Sequence, residues 1–173
     1  MKKIVLGFVA LVAGLAANAQ YKSEVKFNIA NVIAIASVEI GYEYFLDDNQ
    51  SFGAEVHFND RFSYVAETDD KKFETTSVML NYNYYFSPEE KGSFYAYPFM
   101  KYRFGDHIDK RAGKSDTDMD SFIMGLGLGY KWAWNDKFAI APYVSIARNF
   151  SEDVNDRFMA VEANAGVSVG YRF

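Results

Sequence analysis

The stretch FIMGLGLGYKWAW, Phe122 to Trp134, constrains the fold of this chain more than any other. Phe122, Met124, Leu126, Leu128, Tyr130, Trp132 and Trp134 share one parity, and Gly125, Gly127, Gly129 and Lys131 share the other. Successive side chains of a strand point to opposite faces, so this period of two predicts a strand with one wholly apolar face. Seven further segments repeat the pattern: roughly Glu24 to Asn31, then SVEIGYEYF, SFGAEVHFN, SVMLNYNYYF, FYAYPFMKYRF, FAIAPYVSIARNF and the terminal GVSVGYRF. Each is near the about 9 to 11 residues of a tilted strand that crosses a bilayer.

Composition separates a membrane barrel from a soluble one. The chain carries 13 Tyr, 16 Phe and 2 Trp, while its mean hydropathy is slightly negative. So many rings in one small domain ask for an apolar surrounding larger than its own core. Nothing after the first twenty residues is a long apolar helix, and hydrocarbon offers no water to an open strand edge. The expectation is therefore an all-β fold, an eight-stranded antiparallel up-and-down transmembrane β-barrel. A secreted soluble barrel with its rings inside would alternate too, but its water-facing surface would then include Gly125, Gly127 and Gly129. Small residues suit the crowded interior of a small barrel better.

The first residues set the compartment. Lys2 and Lys3, the apolar run Ile4 to Leu15 and Ala17-Asn18-Ala19 before Gln20 read as a secretory signal peptide over 1–19, cleaved after Sec export. The apolar run is shorter than the roughly 20 residues that span a bilayer as a helix. Residues 20–173 then form one domain, and loss of two lysines takes the net charge from −5 to −7. This acidic balance, without any basic run, excludes nucleic acid as a partner. There is no cysteine, hence no disulfide and no lipid-bearing cysteine.

Connection lengths orient the barrel. DDNQ, SPEEKGS and NDK are short and rich in turn-formers, whereas DRFSYVAETDDKKFET, GDHIDKRAGKSDTDMDS and SEDVNDR are long. Short turns face the periplasm in such barrels and long loops face out, which puts both chain ends in the periplasm. The link around Ile33 to Ala36 is short and apolar and fits this scheme poorly. An aromatic girdle of Tyr42, Tyr44, Tyr82, Tyr84, Trp132 and Trp134 gathers beside the short turns, at the headgroup level where Tyr and Trp concentrate.

SEVKFNIANVI, VEIGYEYFL, GLGLGYKW and the terminal GVSVGYRF together resemble a family of small outer-membrane β-barrels of Bacteroidetes, a domain of unknown function. More distantly the chain is similar to the eight-stranded OmpA and OmpX barrels. The resemblance implies that Tyr171 and Phe173 belong to the signal read by the outer-membrane assembly machinery. It brings no established activity, so no catalytic residue is carried over.

By parity the lumen receives Glu24, Glu39, Glu43, Glu55 and Glu162 against Lys26, Lys101, Arg103, Lys131 and Arg172, with Tyr85, Tyr95, Tyr97 and Tyr143 beside them. Buried charges must be paired, and an eight-stranded barrel holds little more than side chains. A paired plug is favoured over an ion pathway. His57 joins this face next to Glu55, as a hydrogen-bonded lumen residue rather than a proton switch. His107, between Asp106 and Asp109, is the one candidate base, with Ser115 or Ser121 as nucleophile of a lipid-modifying enzyme. No fixed spacing supports that pair. DTDMDS, Asp116 to Ser121, fails as a calcium loop: position six is Ser121 instead of Gly and position twelve is Gly127 instead of Glu. Glu67, Asp69, Asp70, Glu152, Asp153 and Asp156 make the outward loops acidic.

The functional expectation is a non-enzymatic outer-membrane barrel of a Gram-negative cell with a closed polar lumen. It would act structurally or in surface interactions through its loops, without cofactor or metal. Its partners are the lipid bilayer, lipopolysaccharide, the assembly machinery and a surface partner at the loops. A narrow channel or transporter for small or apolar solutes is the alternative.

Overall fold

In the computed structural model, which describes residues 22–64, 71–89, 92–109, 117–135 and 137–173, the alternating segments pair edge to edge until no barrel edge is left. The strands are β1 (Ser23–Asn28), β2 (Val38–Phe45), β3 (Gln50–Phe58), β4 (Lys71–Glu89), β5 (Gly92–Asp109), β6 (Ser121–Trp134), β7 (Phe138–Asn149) and β8 (Val161–Arg172). Each pairs antiparallel with its sequence neighbours, and β8 returns to β1 from Arg172 opposite Glu24 to Ser168 opposite Asn28. The Phe173 N–H donates to the Ser23 carbonyl at 2.9 Å, so the last residue is part of the closing seam. Closure gives every strand a partner on both sides, as hydrocarbon requires. Among the described residues no helix is long and apolar enough to cross a membrane. The eight-stranded antiparallel barrel is the fold expected from the alternation.

Several boundaries differ from expectation. β1 stops at Asn28 instead of Asn31, and the apolar link is a helix, α1 (Ile29–Ile35). The Asn28 side chain accepts from the Asn31 N–H at 3.1 Å, capping the helix. Ala36, at φ 53, ends it in the left-handed region. Residues 71–75 and 105–109 were expected in loops, yet they extend β4 and β5 as a paired ribbon from Lys71 opposite Asp109 inward. Gly105, at φ 115, sits where a side chain would meet the backbone of Glu74. Its carbonyl accepts from the Met119 N–H at 2.8 Å, anchoring the two-residue strand Thr117–Asp118 against β5. The last long link carries a helix, α2 (Glu152–Arg157).

Pro98 and Pro142 lie in the interior of strands. Pairing of β4 with β5 lapses where Pro98 and Tyr97 would face Tyr82 and Asn83. Pairing of β6 with β7 lapses where Pro142 and Ala141 would face Tyr130 and Lys131. Proline lacks the N–H a ladder needs, and each retains regular pairing on its other side.

The outer wall is apolar over the middle, with Leu80, Met100, Leu126, Leu128, Val144 and Ile146 exposed. At the short-turn end, ring contacts join Phe52 to Tyr82, Tyr84 to Phe86, Phe94 to Tyr130, Tyr130 to Trp132 and Phe138 to Tyr171. The tips of Tyr42 and Tyr82 bond Ser23 and Gln50. A second aromatic group, Tyr102 with Phe104 and Phe122 with Phe150, lies at the loop end of β5 to β7. Sequence reading located only the first group, because the second is split between strand ends and a loop residue.

Candidate functional site: a charged lumen under an apolar cap

The inward face is filled by a graded stack. Nearest the short turns, the Lys131 ammonium lies 3.1 Å from Glu24 and 2.8 Å from Glu43. Arg172 reaches Glu24 at 2.8 Å while its guanidinium lies over the Phe45 ring. Ser51 and the Tyr85 hydroxyl donate to Glu43. With Lys26 also near Glu43, this turn-end carboxylate pair has three bases and two hydroxyls around it.

In the middle, rings replace charges. Tyr95, Tyr97 and Phe99 on β5 stand directly opposite Gly129, Gly127 and Gly125 on β6. A β-carbon at 125 or 129 would come within 2.5 Å of the facing ring, and one at 127 would fall into the ring of Tyr97. The glycine run is the seat of the aromatic stack. Beside it, Lys26 bridges Glu55 at 3.0 Å and Glu43 at 3.3 Å. Glu39 is held by amides and a phenol: Asn31 at 2.6 Å, Asn28 at 2.7 Å and Tyr143 at 3.0 Å. A cavity of about 50 Å³ lies among these groups.

Toward the loops, Arg103 is wholly buried and doubly engaged. Its two terminal nitrogens donate to Glu162 at 3.0 and 2.6 Å, and its Nε donates to Asp60 at 3.0 Å. Lys101 donates to the same Asp60 oxygen at 2.9 Å. Sequence reading missed Asp60, assigning it to a loop. It lies past the end of β3, where parity no longer applies, and Asn59 at φ 56 turns the chain back over the lumen. Burial pushes the Asp60 carboxyl up, but Arg103 and Lys101, with His57, outweigh it and hold the group well below the usual carboxylate range.

Outward of Arg103, register places Thr75 with Gly105 and then Phe73 with His107. There Phe62, Phe73, Met119, Val154 and Phe158 form a second apolar core that draws on all three long links. His107 is buried between Phe73 and Phe158, with ring centroids at 4.5 and 5.5 Å. The Ser121 hydroxyl donates to the Met119 carbonyl at 2.7 Å and accepts from Asn149 at 3.1 Å. Ser115, Asp116, Glu67, Asp69, Asp70 and the segment 1–19 lie outside the described residues.

All ten charged residues read as inward by parity face the lumen, joined by Asp60 and His57. Eight antiparallel strands closed on themselves, apolar outside and charged within, define the fold of a small eight-stranded transmembrane β-barrel. The chain belongs to the family described as protein of unknown function, DUF3575, whose profile spans residues 5–147. The N-terminal β-barrel domain of Pseudomonas aeruginosa OprF is similar at 16% identity, covering 87% of this chain and 95% of that one, with a TM-score of 0.61. Neisserial surface protein A is similar at 12% identity over 87% and 93%, with a TM-score of 0.54. Ail, the attachment invasion locus protein of Yersinia pestis, follows at 11% over 87% and 93%, with a TM-score of 0.50. Among curated proteins none matches this sequence.

Proposed function

We propose that this protein is an integral barrel of a Gram-negative outer membrane, sealed along its axis, that serves as a structural or surface-contact protein through its outward loops. The observation that carries the reading is Arg103, buried and bonded to both Asp60 and Glu162, directly beneath the apolar cap of the three long links. A solute moving along the axis would have to break this buried pair, leaving charges uncompensated at a cost of about 3–5 kcal/mol. The cap also holds the loops together, giving a partner a defined surface.

The lipid bilayer and lipopolysaccharide surround the two aromatic groups, and Tyr171 and Phe173 present the terminal strand to the assembly machinery. Changing Phe173 to Ser is expected to lower outer-membrane levels in cells; unchanged levels would refute that role. A non-enzymatic role is supported by the Ser121 hydroxyl being engaged with Met119 and Asn149.

Single-channel recording in a planar bilayer tests the sealed axis. Folded, inserted wild type is expected to be silent, as is a folded Lys131→Glu variant. Discrete openings in the wild type that Lys131→Glu alters would establish a conducting lumen and replace this reading with the channel one.

A further inference from the structure

We infer that Glu39, Glu55 and His57 form a binding site for one divalent first-row metal ion of the zinc type inside the barrel. Glu39 and His57 stand directly opposite on β2 and β3, and Glu55 precedes His57 by two residues on the same face. This pairing brings one ligand atom of each to within 4.8 Å of the others, so a small inward adjustment suffices for metal bonds of about 2.0–2.2 Å. One imidazole with two carboxylates suits zinc or manganese better than calcium or magnesium, which prefer oxygen alone.

Two features point to a cation here. First, the ligands are already oriented from behind. Asn28, Asn31 and Tyr143 donate to Glu39, Lys26 holds the far oxygen of Glu55, and Asp60 lies 3.9 Å from His57 Nδ1 on the side away from Glu55. Outer-shell groups of this kind fix ligand geometry. Second, all three residues border the cavity of about 50 Å³, room for a few waters at roughly 10–15 Å³ each. Asn81 borders it too, with its buried Oδ1 turned toward Gly53 and without a hydrogen-bond partner.

In the metal-free state Glu55 Oε2 and His57 Nε2 are 3.2 Å apart, sharing a proton. The metal takes its place, accepting a lone pair from each ligand, and the proton leaves to solvent.

Untagged protein, refolded in detergent, stripped with chelator and dialysed against micromolar Zn²⁺, tests the site. One zinc per chain is expected, with binding weakened about 100-fold or more by His57→Ala and by Glu39→Gln. Glu24→Gln, which removes a buried carboxylate at the other end of the lumen, is expected to leave binding unchanged. X-ray absorption at the zinc edge of the wild type, which needs no variant to fold, is expected to show a single imidazole among oxygen neighbours. Less than a tenth of a zinc per chain, an oxygen-only shell, or binding that survives both ligand changes would overturn the site. So would equal loss in Glu24→Gln, which would mean a response to net charge. None of these results depends on whether the loops bind a partner or the axis conducts.

Discussion

Tyr97 and Gly127 illustrate how single residues fill this lumen. The ring lies where a side chain at 127 would be, so Gly127→Val is expected to destabilise the barrel by about 1–3 kcal/mol through overpacking. Tyr97→Ala should recover part of that loss, and urea unfolding in micelles followed by tryptophan fluorescence would measure the coupling. Additive effects would mean that the ring does not occupy that seat. Arg103→Met strands Asp60 and Glu162 and is expected to cost about 3–5 kcal/mol. Adding Glu162→Gln should return much of it, because Lys101 still neutralises Asp60. At this scale parity alone places Arg103, Glu162 and eight further charged residues on one face. Asp60 escapes it because its position depends on the backbone reversal at Asn59.

Among the elements, α1 and the long β4–β5 ribbon depart furthest from a plain alternating reading. The run after Asn28 carries apolar residues at nearly every position, so periodicity does not separate strand from helix there. The Asn28 cap and the positive φ of Ala36 decide it. In the ribbon, Phe73, Thr75 and Ser77 do alternate inward, but the neighbouring charges read as loop. What holds its outer part is the loop core around His107. Phe158→Ala removes the ring stacked on Phe62 at 5.0 Å and tilted against Phe73 at 6.3 Å. Faster amide exchange and proteolysis are expected in residues 150–160 and beside Phe62, with β1 and β8 still protected. Uniform loosening of the whole barrel would contradict a separate outer core.

At the level of the whole molecule, the outer wall must match lipid. Leu126, 64% exposed, lies mid-strand on that wall, so Leu126→Arg is expected to cost about 2–4 kcal/mol in a bilayer. Arg substituted at Tyr64, in an outward link, should cost far less in the same liposome unfolding assay. Equal costs would place Leu126 away from hydrocarbon. By itself the sequence determined the strands, their apolar face, their number and the end at which the loops gather. Period two and turn chemistry are local properties of the backbone, readable without knowing any partner strand. Only the tertiary structure decided which inward groups meet. Arg103 and Glu162, 59 residues apart, come together through the stagger of the closed barrel, whereas Glu39, Glu55 and His57 meet through the register of β2 with β3. That stagger is settled by all the strands at once, when the final seam between β8 and β1 forms.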